Sequence, residues 1–442
     1  MRAGGAQVPM TNPIATPPQT LAQKLIARAS GLEHPSPGEF VTCRVDLAMC
    51  HDSGGPRRLK PMLAELGAPI WDRNRVVLVI DHYVPAEDED ARRIVRIARD
   101  WAREQALPHV YDSVGISHVV LPQCGHIRPG MLCVGGDSHA STAGAFGAYM
   151  LGVGSTEMVG VLVSGEIWVQ VPQTVFMRWS GRLALGVSAK DMMLAMIGRF
   201  GVNVGHDHAI EYCGEAVSAL SMNERMTLTN MSAELGAQVG LIAPDDETRT
   251  WLWQAGERDI ELDWRSDEDA PGVRHNFDAS TLAPQIALPH SPALARDVAD
   301  IEPTAIQVAY IGGCTGAKLD DLRAAARVLA GYRIDPGVRL LVAPASTHER
   351  DIAEREGILR HLQEAGANIL APSCGLCAGH GDGIPEDSTV ISSIARNGKG
   401  RLGADSARVF LASPYTVAAS ALRGRITDPR EVLWDGDAEV VH

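Results

Sequence analysis

Short apolar runs that end directly in polar, glycine-flanked residues are the feature that most constrains the fold of this chain. The junctions are RVVLVI (75–80) before Asp81-His82, GMLCVGG (130–136) before Asp137-Ser138-His139, TAIQVAYIGG (304–313) before Cys314, and NILAP (368–372) before Ser373-Cys374. Amphipathic segments such as 87–105 and 317–331 lie between such junctions and are typical of helices. A repeated order of strand, turn and helix predicts an α/β fold, in which ligands bind beyond the carboxyl ends of parallel strands.

Composition narrows the classes of function. The 442 residues include 40 Lys and Arg against 54 Asp and Glu, a formal charge of −14 that disfavours a general binder of nucleic acid or anionic membrane. Eight cysteines are too few for a disulfide-stapled secreted fold. The N-terminal 19 residues show no apolar signal-peptide core and are predicted to be a flexible leader. The most apolar stretch, 143–170, is interrupted by Glu157 and Glu166, so a cytoplasmic protein is expected.

Three cysteines form a candidate metal centre. Cys374 and Cys377 lie in C-G-L-C, and Cys314 lies 60 residues earlier in I-G-G-C-T-G. Three thiolates suit an iron–sulfur cluster or a thiolate-rich zinc site, and a missing fourth ligand would leave a coordination position open for a Lewis acid. A zinc site completed by His380, or no metal at all, remains open on spacing alone.

A second candidate site consists of ionisable residues at strand ends. Its members are Asp81, His82, His118, Asp137, Ser138 and His139. An adjacent Asp–His pair can fix the tautomer of the imidazole and raise its basicity, which suits general acid–base chemistry. Taken singly, each histidine is equally explained as a structural residue. A serine-hydrolase role for Ser138 is disfavoured because no G-x-S-x-G motif surrounds it.

Two arginines suggest an anionic substrate. Arg396 and Arg401 flank a glycine-bearing loop in A-R-N-G-K-G-R-L-G, and guanidinium groups bind carboxylates through two parallel hydrogen bonds. Solvated surface arginines are the alternative. No G-x-x-x-x-G-K-[ST] phosphate loop is present.

Together these motifs resemble the aconitase superfamily, most closely its branch of isopropylmalate dehydratase and homoaconitase large subunits. The matching stretches include V-I-D-H-Y-V-P (79–85), G-M-L-C-V-G-G-D-S-H-A-S-T-A-G-A-F-G-A (130–148), A-I-E-Y-C-G-E-A (209–216), R-M-T-L-T-N-M-S-A-E-L-G-A (225–237), I-G-G-C-T-G and C-G-L-C. The resemblance runs from about residue 20 to 435.

The resemblance implies a three-lobed α/β architecture around a central cluster, without the family's swivelling fourth domain. We expect α/β domains at 20–173, 174–285 and 286–442, the last carrying the cluster cysteines. Within this division the acidic, tryptophan-rich segment 245–300 is interpreted as a linker or excursion between lobes.

The resemblance also implies roles for individual residues. Cys314, Cys374 and Cys377 match ligands of a [4Fe–4S] cluster with one labile iron. His82, assisted by Asp81, would protonate the leaving hydroxyl, and Arg396 and Arg401 would bind substrate carboxylates. The remaining active-site matches are His118, Asp137, Ser138, His139 and Glu211, of which Asp137, His139 and Glu211 would order the iron-bound hydroxyl or water.

The resemblance therefore implies a hydro-lyase that dehydrates and rehydrates a hydroxy di- or tricarboxylic acid. The simplest expectation is the interconversion of 2-isopropylmalate and 3-isopropylmalate. Departures from the family pattern at Gly316 and Ala395 keep a homoaconitase-, dimethylmalate- or citrate-analogue-specific dehydratase open. The missing fourth domain implies a small swivel-domain partner subunit that completes the active site. A non-enzymatic zinc or RNA-binding protein is a further alternative.

Overall fold

The structure, a computed structural model, describes residues 17–380 and 383–433. Its strands, in chain order, are β1 (Phe40–Arg44), β2 (Leu47–His51), β3 (Val76–Ile80), β4 (His109–Asp112), β5 (Leu132–Gly135), β6 (Tyr149–Gly152), β7 (Glu166–Gln170), β8 (Gln173–Ser180), β9 (His208–Cys213), β10 (Val239–Leu241), β11 (Val273–Asp278), β12 (Gln285–Ala287), β13 (Ala295–Asp297), β14 (Val308–Ile311), β15 (Arg339–Val342), β16 (Asn368–Ile369), β17 (Thr389–Ser392) and β18 (Arg408–Ala412).

The helices alternate with these strands. They are α1 (Leu21–Ser30), α2 (Pro56–Leu66), α3 (Glu89–Glu104), α4 (Ser117–Gln123), α5 (Ser155–Ser164), α6 (Ala189–Phe200), α7 (Glu215–Ser218), α8 (Met222–Met231), α9 (Asp246–Gln254), α10 (Leu319–Leu329), α11 (Thr347–Arg355), α12 (Ile358–Ala365) and α13 (Pro414–Arg423). Within the described ranges, no helix is long and apolar enough to cross a membrane.

Local sequence signals explain where several helices begin and end. The Asp88 side chain accepts a hydrogen bond from the Ala91 amide and caps α3, whose first turn carries Glu89 and Asp90 where the helix dipole favours acids. Helix α1 begins after Thr20, which caps it, and ends at Gly31, whose φ of 76° suits glycine. The bounds of α3 confirm the helix that the sequence predicts over 87–105.

Three larger sheets follow one another along the chain. A parallel five-stranded sheet has the order β4-β3-β2-β5-β6, and a parallel four-stranded sheet has the order β10-β9-β8-β11. A seven-stranded sheet has the order β13-β12-β18-β17-β14-β15-β16, in which β12 is antiparallel to both neighbours. Strands β1 and β7 form a separate antiparallel pair. The α/β fold class is therefore confirmed.

The sequence of β3 is a continuous apolar run because both faces of this strand are buried. Val76, Leu78 and Ile80 pack into one core, whereas Val77 and Val79 pack into the core on the opposite face of the sheet. A parallel sheet covered on both faces buries every residue of a central strand.

The segment 245–300 is not a linker, and that interpretation was wrong. It contains helix α9, and its strand β11 pairs with β8 over Val273–Asp278. Strands β12 and β13 then join the seven-stranded sheet. Backbone hydrogen bonding to existing sheet edges outweighs the acidic, proline-interrupted composition of the segment.

Residues 1–16 of the predicted leader lie outside the described residues. Its last residue, Gln19, is buried, and its backbone N–H donates to Asp267 over 2.7 Å. The three domain ranges expected from the sequence, 20–173, 174–285 and 286–442, stay a prediction.

Candidate active site

The carboxyl end of β3 places an Asp–His pair in a buried position. The Nδ1 of His82 donates to Asp81 Oδ1 over 2.7 Å. The Asp52 carboxylate accepts the backbone N–H groups of His82 and Tyr83 at 3.0 and 2.9 Å, which fixes the turn after the strand. Although burial opposes it, the charge of Asp81 and then the hydrogen bond to Asp52 raise the pKa of His82 well above its usual value. The surroundings therefore favour the imidazolium form of His82.

A series of ionic hydrogen bonds begins at Asp137, just after the carboxyl end of β5. Asp137 Oδ1 accepts from His118 Nε2 at 2.9 Å and from the His139 backbone N–H at 2.8 Å. His139 Nε2 donates to Glu234 Oε1 at 3.1 Å, and Arg396 Nε donates to the same oxygen at 2.5 Å. Burial opposes ionisation of Asp137, but His118 lowers its pKa well below the usual value. These hydrogen bonds join acidic, imidazole and guanidinium groups from four parts of the sequence.

The Asp81–His82 pair faces the hydrogen-bonded residues around Asp137. His82 Nε2, the nitrogen not used by Asp81, lies 4.0 Å from Asp137 Oδ2. The ring of His51 stacks on that of His82 with centroids 4.4 Å apart, and His51 Nε2 donates to the Gly136 carbonyl. A proton donor and a carboxylate thus share one space at the sheet edge.

The cysteine loops meet this edge. The Cys374 backbone N–H donates to the Asp81 carbonyl at 2.8 Å, so the loop after β16 is tied to the end of β3. Cys314 and Cys374 both pack against the apolar core beneath β3. Asn230 donates its side-chain N–H to Cys314 Sγ at 3.1 Å and to Thr142 Oγ1 at 2.8 Å. The three thiols therefore lie beside the acid–base groups.

The surroundings of the thiols fit a thiolate-bound group. Arg401 Nη2 lies 3.7 Å from Cys377 Sγ, and a hydrogen bond from Cys374, together with that guanidinium, lowers the pKa of the Cys377 thiol. Burial raises the pKa of Cys314 to about 12, which a bound metal would reverse. Three buried polar atoms in this region have no hydrogen-bond partner among the described residues: Asn230 Oδ1, Tyr310 Oη and Arg401 Nε.

A single zinc ion fits these residues poorly. Zinc holds sulfur and nitrogen ligands about 2.0–2.3 Å away, so its ligands lie within about 4.6 Å of one another. Among the described residues, groups of at least three ligand atoms within 4.8 Å occur at His51–Asp52–Asp81–His82 and at His118–Asp137–His139, and the cysteines with His380 form none. A zinc site completed by His380 is therefore not preformed among the described side chains.

Comparison with known proteins gives this site a family. The sequence model of the Aconitase family (aconitate hydratase) matches residues 24–305 and 297–424. The chain belongs to the aconitase family. The resemblance read from the sequence motifs is thereby confirmed for nearly the whole chain.

Individual relatives in the aconitase family are similar over their full lengths. The chain is 40% identical over 422 residues to the 3-isopropylmalate dehydratase large subunit 1 of Methanopyrus kandleri, covering 94% of this chain and 100% of that protein. It is 37% identical over 423 residues to the probable methanogen homoaconitase large subunit of Methanothermobacter thermautotrophicus, covering 94% and 99%. The solved structure of Thermococcus kodakaraensis aconitase X matches with a TM-score of 0.48 and 12% identity, covering 85% and 89%.

Most residues that the sequence predicts for an aconitase-family site are brought together. Asp81, His82, His118, Asp137 and His139 share the sheet edge with the cysteines and Arg396. Arg401 reaches the thiols. Ser138 is exposed, between Asp137 and His139.

Glu211 is the exception: it does not join this group of contacts, and its role in the site stays a prediction. It lies on β9, where its carboxylate accepts a hydrogen bond from Ser266 at 2.6 Å, and the other groups that act on it are Leu21, Lys24 and Arg274. Burial raises the pKa of Glu211 to about 7. These contacts lie around helix α1, and none of them involves His139.

Glu234 is the glutamate that contacts His139. The family-like stretch 225–237 contains both Glu234 and Asn230, but the motif alone assigns neither of them a role. Asn230 lies near the end of α8, and Glu234 lies in the 3₁₀ helix Ser232–Leu235 that follows it. Only the packing of these two elements on the 3₁₀ helix Ser138–Phe146 shows that they meet His139 and Cys314.

Proposed function

We propose that this chain is the large subunit of a [4Fe–4S] hydro-lyase that interconverts 2-isopropylmalate and 3-isopropylmalate. The observation that carries the proposal is the convergence of three cysteine thiols with the Asp81–His82 pair and the Arg396 guanidinium at one sheet edge. The similarity to 3-isopropylmalate dehydratase large subunits over 94% of the chain supports the same substrate class.

Cys314, Cys374 and Cys377 would hold the cluster, which when bound supplies a Lewis acid to a hydroxyl and a carboxylate of the substrate through its labile iron. Arg401 and Asn230 stabilise the thiolate form through the contacts described above. Their unpartnered Nε and Oδ1 atoms remain available to a bound group.

His82 would act as the general acid. Asp81 holds Nδ1 and keeps the ring protonated, so the proton at Nε2 passes to the departing hydroxyl, which leaves as water. The bond to carbon breaks with its electron pair on that oxygen, and removal of the neighbouring C–H proton leaves its electron pair as the new double bond. Rehydration in the opposite sense completes the isomerisation.

Arg396 would bind a substrate carboxylate. Its Nε is held by Glu234, which directs the remaining guanidinium N–H groups, and about a third of the side chain is exposed. His139 and Glu234 thereby fix the distance between the carboxylate site and the acid at His82.

The C–H base is expected on a partner. The relatives are named large subunits, and we propose that a small swivel-domain subunit supplies the base serine and a further carboxylate-binding arginine, in the cytoplasm. A homoaconitase-type substrate is the second candidate because one such large subunit is 37% identical over 94% of the chain.

The proposal is tested with anaerobically purified chain. We expect a brown protein with about four iron and four sulfide per chain, and turnover of 2-isopropylmalate when a swivel-domain subunit is added. Homocitrate, dimethylmalate and citrate form the comparison panel. Cys374→Ser should lose the cluster, whereas Cys124→Ser, at an exposed cysteine, should keep it. A colourless wild-type chain carrying one zinc would overturn the proposal.

A further inference from the structure

Lys190 is a buried lysine that joins three separate segments near the proposed cluster. It lies in the first turn of α6 and is 1% exposed. Its Nζ donates to Thr315 Oγ1 at 3.1 Å, to the Ser393 carbonyl at 3.0 Å and to the Ile394 carbonyl at 2.6 Å. One ammonium group therefore fixes two loops to one helix.

The two loops are those that carry the site. Thr315 directly follows Cys314, and Ile394 lies two residues before Arg396. They approach so closely that a Cβ on Gly316 would lie 2.1 Å from Ser393 Oγ. Movement of either loop at this point must therefore move both a cluster thiol and a substrate-binding guanidinium.

The charge of Lys190 has no anionic partner among the described residues. No carboxylate lies within 4.0 Å of its Nζ, whereas Lys318, equally buried, has Asp321 at 3.0 Å. An isolated buried ammonium is costly unless an anion balances it. Burial lowers the pKa of Lys190 to about 8, while Cys314 acts in the opposite direction, so the group is charged at neutral pH.

We propose that Lys190 is a positioning residue that couples the Cys314 loop to the Arg396 loop and supplies the buried positive charge that balances the thiolate-bound cluster. This inference rests on the proposed function and deepens it. A positive charge close to a cluster favours the reduced state, since reduction adds negative charge. Lys190 thus sets both the reduction potential and the placement of the carboxylate site.

The test compares Lys190→Met and Lys190→Gln with Lys60→Gln, which removes the charge of an exposed lysine paired with Glu104. Both Lys190 variants should lower the midpoint potential of the cluster and speed iron loss to a chelator about 10- to 100-fold. KM for the hydroxy acid should rise more than kcat falls, and the amide of Lys190→Gln should restore part of KM but none of the potential. An unchanged potential and KM in the Lys190 variants would overturn the inference.

Failure of the proposed function is distinguishable from failure of this inference. If the wild-type chain takes up no iron and sulfide, the cluster proposal falls, and the loop coupling is measured on the metal-free chain by iodoacetamide alkylation of Cys314. Lys190→Gln should speed alkylation relative to Lys60→Gln. Should neither Lys190 variant fold, Thr315→Val keeps the charge of Lys190 but removes its Thr315 acceptor, together with the hydrogen bond that the same hydroxyl donates to the Ser393 carbonyl at 3.0 Å. It should raise KM and the alkylation rate at an unchanged potential, and wild-type values would reject the coupling.

Discussion

Glu234 and Arg396 meet across 162 positions of sequence, with Arg396 Nε 2.5 Å from Glu234 Oε1. The carboxylate is largely buried, whereas the guanidinium is partly exposed toward the open side of the site. Burial opposes the charge of Glu234, but the hydrogen bond from His139 and the charge of Arg396 keep its pKa below the usual value. Glu234 is therefore an ionised anchor that orients a cation without neutralising its exposed N–H groups.

Glu234→Gln is expected to lower activity, and Glu211→Gln is not. The amide keeps the shape of the side chain but loses the charge that holds both Arg396 and His139, so we expect kcat/KM to fall at least about tenfold. Glu211 contacts Ser266 and not His139, so its variant is the matched control. Steady-state kinetics of the reconstituted enzyme measures both. Equal losses in the two variants would contradict the site described here.

Asp81→Asn should shift the pH profile to lower pH. His82 acts as an acid and is active below its pKa, which Asp81 raises, so activity falls as pH rises through that pKa. Removing the carboxylate charge lowers the pKa of His82, and the alkaline limb of kcat should move down by about one to three pH units. Asp112→Asn, which loses only a partly exposed contact with Arg99, should leave the limb in place. An unmoved limb in Asp81→Asn would show that His82 is not the titrating acid.

The site residues at strand ends could be predicted from the sequence because each directly follows an apolar run that forms a strand. Asp81 directly follows β3 and Asp137 directly follows Gly136 at the end of β5, and parallel strands bring such ends to one edge of the sheet. Residue type and spacing likewise identify Cys314 and the C-G-L-C pair.

The choice between Glu211 and Glu234 could not be read in this way. Both are acidic residues in stretches typical of the family, and only tertiary packing decides which of them faces His139. The contacts of Glu211 on β9 lie around α1, while α8 and the 3₁₀ helix after it pack on the 3₁₀ helix that carries His139. The prediction of a linker at 245–300 failed for a related reason. Local composition carries no information on the pairing of β11 with the distant strand β8.

Arg225→Met should destabilise the chain strongly. Arg225 is fully buried in α8, the helix that carries Asn230, and donates to both Asp245 oxygens at 2.7 and 2.8 Å and to the Leu220 and Ser218 carbonyls. Removing it takes the donor from the Leu220 and Ser218 carbonyls and the ionic partner from Asp245, which keeps its N-cap bonds from Glu247 and Thr248, at a cost of about 3–5 kcal/mol. Arg99→Met, at an exposed ion pair, should cost less than about 1 kcal/mol. Urea unfolding of the metal-free chain measures both, and similar losses would contradict this reading.

Gly144→Ala and Gly160→Ala should have opposite effects on stability. Gly144 lies in the 3₁₀ helix Ser138–Phe146, where a Cβ would come within 1.7 Å of the Gly240 carbonyl oxygen on β10. The backbone must shift, at a cost of about 1–3 kcal/mol, and because the same helix carries His139, activity should fall as well. Gly160 lies inside α5 with open space at its Cβ position, so alanine there should stabilise by about 0.5–1 kcal/mol with unchanged kinetics. Urea unfolding measures the stability of the two variants, and steady-state assays measure their activity. A Gly144→Ala chain with wild-type stability and activity would show that β10 does not hold the His139 helix in place.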